Sequence, residues 1–311
     1  MSERSAVIQT AEQWLTEGLP EPFVLYLPLM FPHPPFEVEE PWFSMHPRAA
    51  MPVPLTADLS VKPSYMQAIV DRYGTNRLEP EDWAEIRATY AGMVSRVDDQ
   101  LGRITRAVDS AGVAESTTTI FFTDHGEYLG DFGLIEKWPS GQHESLLHNP
   151  LVIASPEGAE GGVADSFAEL VDLVPTLLEM ADVEAGYSHF GKSLMPLLKD
   201  ASLAHRNAAF SEGGFRMDET HLFERPSFPY DLKGAVQNEQ PITNSRVMTV
   251  RTDHFTYCHR PYESDELYDR AADPGECINL VAEPEHAATV MQLRAKLLDW
   301  MCTTADVIPW K

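Results

Sequence analysis

"YAGMVSRVDDQLGRITRAVDSAGVAESTTTIFFTDHGEYLGDFGLIEKW", residues 90–138, runs through a helix, a turn, a strand and a loop in that order. Ile86, Tyr90, Met93, Val97, Leu101, Ile104 and Val108 recur at spacings of three and four. That spacing predicts one apolar face of a helix of about seven turns. The helix begins after "EPEDW", with a proline and acids in its first turn, and stops at Gly112. "TTTIFF" then reads as a buried strand, and it delivers Asp124 and His125 side by side ahead of Gly126. In an open α/β sheet, ligands sit beyond the carboxyl ends of the strands. The residues alone leave two readings open for this pair. Asp124 and Gly126 make a turn, or Asp124 and His125 offer an oxygen and a nitrogen to a divalent cation. Lys137 follows the glycine-containing loop. It reads either as a solvated lysine or as a point charge for an anion.

Upstream, "PFVLYLPL" (22–29) is a continuous apolar run of strand length, the pattern of a strand covered on both faces. It leads into "MFPHPPFEVEEPW", where prolines exclude helix and His33 stands between two of them. His33 reads as a loop histidine or as a strand-end ligand. Downstream come a third strand, "PLVIAS", and a helical segment, "FAELVDLVPTLLEMA" (167–181), in which Pro175 marks a kink or a new first turn. This order predicts an α/β sheet with helices on its faces. After residue 204 the texture changes. "SRVMTVRTDHFTYCHR" (245–260) alternates like antiparallel strands, and "PEHAATVMQLRAKLLDWM" (284–301) reads as a closing amphipathic helix. The expected division is an α/β domain over 1–204 and a smaller α+β unit over 205–311.

Composition narrows the function classes. The chain of 311 residues is 43% hydrophobic and carries a net charge of −25. It is therefore globular and poorly matched to nucleic acid or an anionic membrane surface. Cys258, Cys277 and Cys302 form neither a disulfide framework nor a zinc pattern. "MSERSAVIQTAEQW" has no apolar core of a signal peptide, which points to a cytoplasmic location.

The quoted helix, strand and loop resemble the metal-binding region of the sulfatase family, within the alkaline-phosphatase-like superfamily. "PFVLYLPLMFPHPPF" resembles the family's His-x-Pro-Phe segment, and "SFAELVDLVPTLLEMADVEAG" and "HFGKSLMPLL" resemble the segments that follow. "ELYDRAADPGECINL" resembles the family's C-terminal LYDLxxDPxExxNL signature. The resemblance implies a mostly parallel sheet with helices on both faces, plus the antiparallel C-terminal unit. It also implies Asp124 and His125 as ligands of a divalent metal (calcium first, manganese or magnesium as alternatives), with Lys137 on the sulfate oxygens. His33 would lie near the leaving group as a proton donor. The implied substrate is a small-molecule or saccharide sulfate ester. Where many relatives carry asparagine this chain has His125, a form that the resemblance places in bacterial sulfatases and also in phosphonate and phosphate ester hydrolases, so a phosphonate monoester or phosphodiester is the alternative substrate.

One part of the family pattern is not found. The family presents an aspartate pair and then Cys (or Ser)-x-Pro-x-Arg, the source of its nucleophile. Cys258, Cys277 and Cys302 are followed by His-Arg-Pro, Ile-Asn-Leu and Thr-Thr-Ala, and "SFPYD" (227–231) places Asp231 where the arginine belongs. The expectation is a C-terminal portion of a sulfatase-like protein. It would be completed by an N-terminal half, assembled as a homo-oligomer, or retained as a non-catalytic remnant. Substrate selection is expected from "SEGGFRMDETHLFERPSFPYD" (211–231), with Arg216 and His221 as candidate contacts.

Overall fold

The computed structural model describes residues 3–159 and 161–305. The helices are α1 (Glu3–Glu17), α2 (Trp42–Met45), α3 (Ser64–Tyr73), α4 (Pro80–Ser110), α5 (Glu144–Leu147), α6 (Leu173–Met180), α7 (Met195–Lys199), α8 (Asp231–Glu239) and α9 (Ala287–Thr304). The strands are β1 (Thr119–Phe122), β2 (Leu151–Ala154), β3 (Ala209–Gly213), β4 (Val247–Arg251), β5 (Phe255–His259) and β6 (Glu266–Asp269). Two compact units form, each discontinuous in sequence. The first takes residues up to Pro54, Leu78–Phe122 and Leu151–Gly158, and the second takes Leu55–Arg77, Thr123–Pro150 and the chain from Ala159 onward. The division expected after residue 204 falls inside the second unit, because Leu55–Arg77 and the long loop Thr123–Pro150 pack with the C-terminal sheet.

The first unit is organised by α4. Pro80 occupies its first turn, and Glu79 and Asp82 close a reciprocal capping box, so "EPEDW" is itself the helix start. Ile8 and Ala11 of α1 pack on Ile104, with Leu25, Leu27 and Leu29 against them. On the next turns Met93 and Val97 meet Phe31 and Phe121. Gly92 lets α2 approach, since a Cβ there would lie 2.4 Å from the Trp42 carbonyl. β1 and β2 pair antiparallel, with Phe122 opposite Leu151. The excursion between them therefore leaves and returns at one end of the ladder, which makes this pair antiparallel where the family pattern led us to expect mostly parallel neighbours.

"PFVLYLPL" departs from expectation. It is extended but joins no ladder among the described residues. Its burial alternates, with Leu25, Leu27 and Leu29 on the core and Val24 88%, Tyr26 72% and Met30 66% exposed. An unbroken apolar run does not reveal which face will be covered, so the two-sided burial read from it was wrong.

The second unit is built on the antiparallel sheet β3-β4-β5-β6. Val250, Tyr257 and Leu267 alternate to one face, where Leu293 and Leu297 of α9 cover them. The opposite face carries Thr249, Arg251, Thr256, Cys258, Glu266 and Tyr268, and all are buried. Polar groups survive there by pairing. Arg260, reached just after β5, holds Glu266 at 2.6 Å and the Ser140 carbonyl at 2.9 Å. Arg251 holds Glu276 at 2.9 Å and Glu144 at 2.7 Å. Lys62 donates to the Tyr268 hydroxyl and to the Glu276 carbonyl. A second cluster, Asp172 with Arg206 and His205, fixes the start of α6, where Pro175 sits in the first turn. Among the described residues no helix is long and apolar enough to cross a membrane.

His143 lies inside this network. Its Nδ1 lies 2.9 Å from the Tyr128 hydroxyl and 3.3 Å from the Tyr65 hydroxyl, and the two hydroxyls lie 2.6 Å apart. Burial pushes its pKa down to about 3; Glu266 opposes this, while Lys62, Arg260 and Arg251 add to it. In the unfolded chain the imidazole takes a proton below about pH 6.5. The folded chain refuses it until about pH 3, so stability falls as the pH falls through that window. Between pH 6.5 and 5 we expect the wild type to lose about 2 kcal/mol more than His143→Gln. Urea denaturation at the two pH values checks this, and parallel losses in the two proteins would show that His143 is not the titrating group.

Candidate functional site

β1 hands the chain directly to Thr123, Asp124 and His125. The His125 Nδ1 lies 2.9 Å from the Gly126 carbonyl. A carbonyl only accepts, so Nδ1 carries a proton, and in the neutral imidazole Nε2 keeps its lone pair. That Nε2 faces the Asp124 Oδ2 at 3.6 Å, and the Asp124 side chain is 84% exposed. Asp124 Oδ1 also accepts from the His125 amide at 3.0 Å. The turn reading and the ligand reading thus coexist in one residue. Gly126 is required by space: a Cβ there would lie 1.9 Å from the Ser145 carbonyl. Backbone bonds from Gly126 to Leu146 and from Glu127 to Ser145 zip this strand-like stretch onto α5. The Asn149 amide donates to the Asp124 carbonyl at 3.2 Å, closing the neck of the loop.

The loop then folds back. Glu127 is half-buried, and its carboxylate accepts from the amides of Leu129 and Glu136. Both of those residues adopt the left-handed region, at φ 50° and 66°. Such a conformation costs on the order of 1 kcal/mol for a non-glycine residue, so it needs this kind of anchor. Burial raises the Glu127 carboxyl to about 7 against those two amide bonds. Beyond Glu136 the backbone is tied down by side chains. Trp138 Nε1 and the Ser140 hydroxyl both donate to the Thr243 carbonyl, at 2.6 and 2.8 Å. Glu144 N donates to Glu276, and Arg251 reaches Glu144.

The outcome is a cavity of about 280 Å³ in the second unit, lined by His125, Lys137 and Lys233, with walls from Trp138, Leu146 and Leu147. His125 and Lys137 are thereby brought together, and Asp124 stands against His125. Lys233, on α8, was not anticipated. Its ammonium donates to the Lys137 carbonyl at 2.9 Å and lies 3.6 Å from the Glu136 carboxylate. Burial lowers its pKa; Glu136 opposes the shift and the Lys137 charge adds to it. No sequence signal marks it, because a lone lysine on an amphipathic helix reads as solvated and a carbonyl partner has no signature.

Arg216 and His221 do not line this cavity. The Arg216 guanidinium is held by Asp218 at 3.2 Å and Glu219 at 3.3 Å, and His221 sits in a short 3₁₀ turn, Thr220–Leu222. His33 belongs to the first unit, in a turn closed by its amide on the Met30 carbonyl at 2.9 Å. Its Nδ1 donates to the Pro34 carbonyl at 2.8 Å.

A hard carboxylate oxygen beside a lone-pair imidazole nitrogen fits part of a divalent-metal site. Among the described residues no group of three or more His, Cys, Asp or Glu side chains can share an ion. Two such groups could supply only part of a coordination sphere.

Known proteins were then compared. The chain is similar to the multifunctional alkaline phosphatase superfamily protein PehA of Trinickia caryophylli, 29% identical over 304 residues, covering 92% of this chain and 57% of the relative. It is 25% identical to arylsulfatase K of Xenopus laevis, covering 96% of this chain and 56% of that protein. The crystal structure of the phosphonate monoester hydrolase of Agrobacterium radiobacter superposes with a TM-score of 0.79 at 28% identity, over 97% of this chain and 61% of that one. The chain thus spans a little over half the length of the curated relatives it matches. A family model described as Sulfatase matches residues 3–183, more than half of the chain, and by that match the chain belongs to the sulfatase family.

Proposed function

We propose that this chain supplies the metal-binding and anion-binding part of a sulfatase-type ester hydrolase. The observation that carries the reading is the meeting of His125 and Lys137 in one cavity, with Asp124 against the lone-pair nitrogen of His125. Asp124 and His125 would hold a divalent ion, calcium by preference, with manganese or magnesium as alternatives. Once bound, the ion would supply Lewis-acid stabilisation of charge on the ester oxygens. Lys137 adds a fixed positive charge beside those oxygens. By the resemblance His33 would give the departing oxygen its proton; its Nδ1–H is directed at Pro34, so only the doubly protonated imidazolium would have a proton to give from Nε2. The nucleophile and the remaining ligands would come from outside these 311 residues, since no Cys (or Ser)-x-Pro-x-Arg occurs in them.

The favoured substrate is a sulfate ester of a small molecule or saccharide. A phosphonate monoester is the second reading. It is supported by the histidine at position 125 and by the similarity to PehA and to the Agrobacterium hydrolase. The protein carrying this chain should be assayed with an aryl sulfate and an aryl phosphonate monoester side by side. The faster substrate decides between the readings, and Lys137→Ala is expected to lower kcat/KM by about 10²–10³. Turnover indifferent to Lys137→Ala would overturn both.

Two protein ligands fall well short of the roughly 6–8 oxygens that calcium takes. Calorimetric titration of the chain alone with calcium, magnesium or manganese should therefore give dissociation constants on the order of 10⁻³ M or weaker, abolished in His125→Ala. A tight stoichiometric site would mean that other residues of this chain complete the sphere.

The apolar edge of the first unit bears on partners. Val24, Tyr26 and Met30 are exposed on an unpaired extended segment, and Val152 of β2 is 59% exposed. Such edges attract further strands. We expect the isolated chain to self-associate or to require a second polypeptide, as read by sedimentation velocity. A monodisperse monomer with one sharp melt would count against this.

A further inference from the structure

Lys233 has no place in the family pattern, yet its ammonium lies among the groups that shape the cavity. It comes from α8, far in sequence from the loop 123–150, and its side chain is only 15% exposed. It donates to the carbonyl of Lys137, lies 3.6 Å from the carboxylate of Glu136, and sits 6.0 Å above the Trp138 ring centroid. Three consecutive residues are thus gripped from one point. The first of them, Glu136, is in the left-handed region at φ 66°, a conformation that fixes the direction in which the next side chain departs. Resting on the anion-site reading given above, we propose that Lys233 is the positioning residue for Lys137, clamping the backbone that aims it and adding a second positive charge to the cavity.

The charge arrangement supports this role. The chain has only seven lysines, and two of them line one cavity. Two ammonium groups in one wall repel. Anchoring Lys233 on the Lys137 carbonyl and the Glu136 carboxylate fixes one of them, so the repulsion disfavours Lys137 side-chain positions that approach it. Arginine at 233 keeps the charge and a donor for the carbonyl, whereas methionine keeps the stem and removes both.

Lys233→Met and Lys233→Arg, with Lys137→Met as reference, separate the alternatives through two readouts on the chain itself. Hydrogen exchange at the Glu136 amide reports the clamp without reference to any ligand. Titration with inorganic phosphate and inorganic sulfate reports the cavity. Lys233→Met should exchange at Glu136 at least about tenfold faster and bind phosphate about tenfold more weakly, with Lys233→Arg recovering most of both. Lys137→Met should lose anion binding and leave Glu136 protected. Unchanged exchange in Lys233→Met overturns the clamp. Faster exchange with unchanged anion affinity reduces Lys233 to a structural role and overturns the proposal. Anion binding indifferent to Lys137→Met would instead overturn the anion-site reading, and the positioning role with it.

Discussion

The Arg260–Glu266 pair, with side chains 0% and 2% exposed, is the contact on which the second unit turns. A buried ion pair adds little stability over an apolar pair, but removing one partner leaves a charge stranded at a cost of about 3–5 kcal/mol. Here the pair is extended in ways that make it hard to replace. Tyr268 donates to the second oxygen of Glu266, Lys62 donates to Tyr268, and Arg260 also holds the Ser140 carbonyl. Burial pushes the Glu266 carboxyl up, but Arg260 and the hydrogen bonds outweigh it and keep it below the usual range. The sheet face therefore stays ionised and directional. Apolar packing has no preferred direction; these bonds do, and they end on the backbone of residues 140–144. Gly141 of that stretch lines the cavity beside Trp138 and Pro139, so the backbone that follows Lys137 is anchored there.

This arrangement explains what the sequence revealed and what it concealed. The stripe from Ile86 to Val108 was legible because Met93, Val97, Ile104 and Val108 are buried at helical spacing, although α4 also buries Arg87, Ala88 and Thr89 in succession. β1, β2, β4, β5 and α9 were legible for similar reasons. The burial of "PFVLYLPL" was not, since apolar residues at every position hide the alternation that its surroundings impose. The charged sheet face misleads in the opposite sense. Alternation in "VMTVR", "FTYCH" and "ELYD" suggests one wet face, yet Arg251, Glu266 and Tyr268 are buried: Glu144 and Lys62 arrive from distant segments to meet Arg251 and Tyr268, and Arg260 meets Glu266 from six residues away. At the site, Asp124, His125 and Lys137 could be named from a resemblance, and Gly126 reads as a turn glycine until Ser145 is seen behind it. Lys233 acts through a carbonyl oxygen, which any residue supplies. Contacts of that kind leave no trace in side-chain identity.

A net charge of −25 would seem to disfavour an anionic ester altogether. The objection weakens once distance is considered. At physiological ionic strength charges are screened beyond about 8 Å, so most of the 48 acids act on a distant anion only weakly and on one inside the cavity hardly at all. What an anion meets at close range is His125, Lys137 and Lys233 against apolar walls, where a low local dielectric strengthens each interaction. The opposing carboxylates stand against this positive wall: Glu136 lies 3.6 Å from Lys233 and Asp124 lies 3.6 Å from His125. On the anion-site reading proposed above, the acidic surface would slow weakly held anions on approach, and Lys137 and Lys233 would decide what stays, with the Lys233 ammonium on the Lys137 carbonyl fixing the geometry between them.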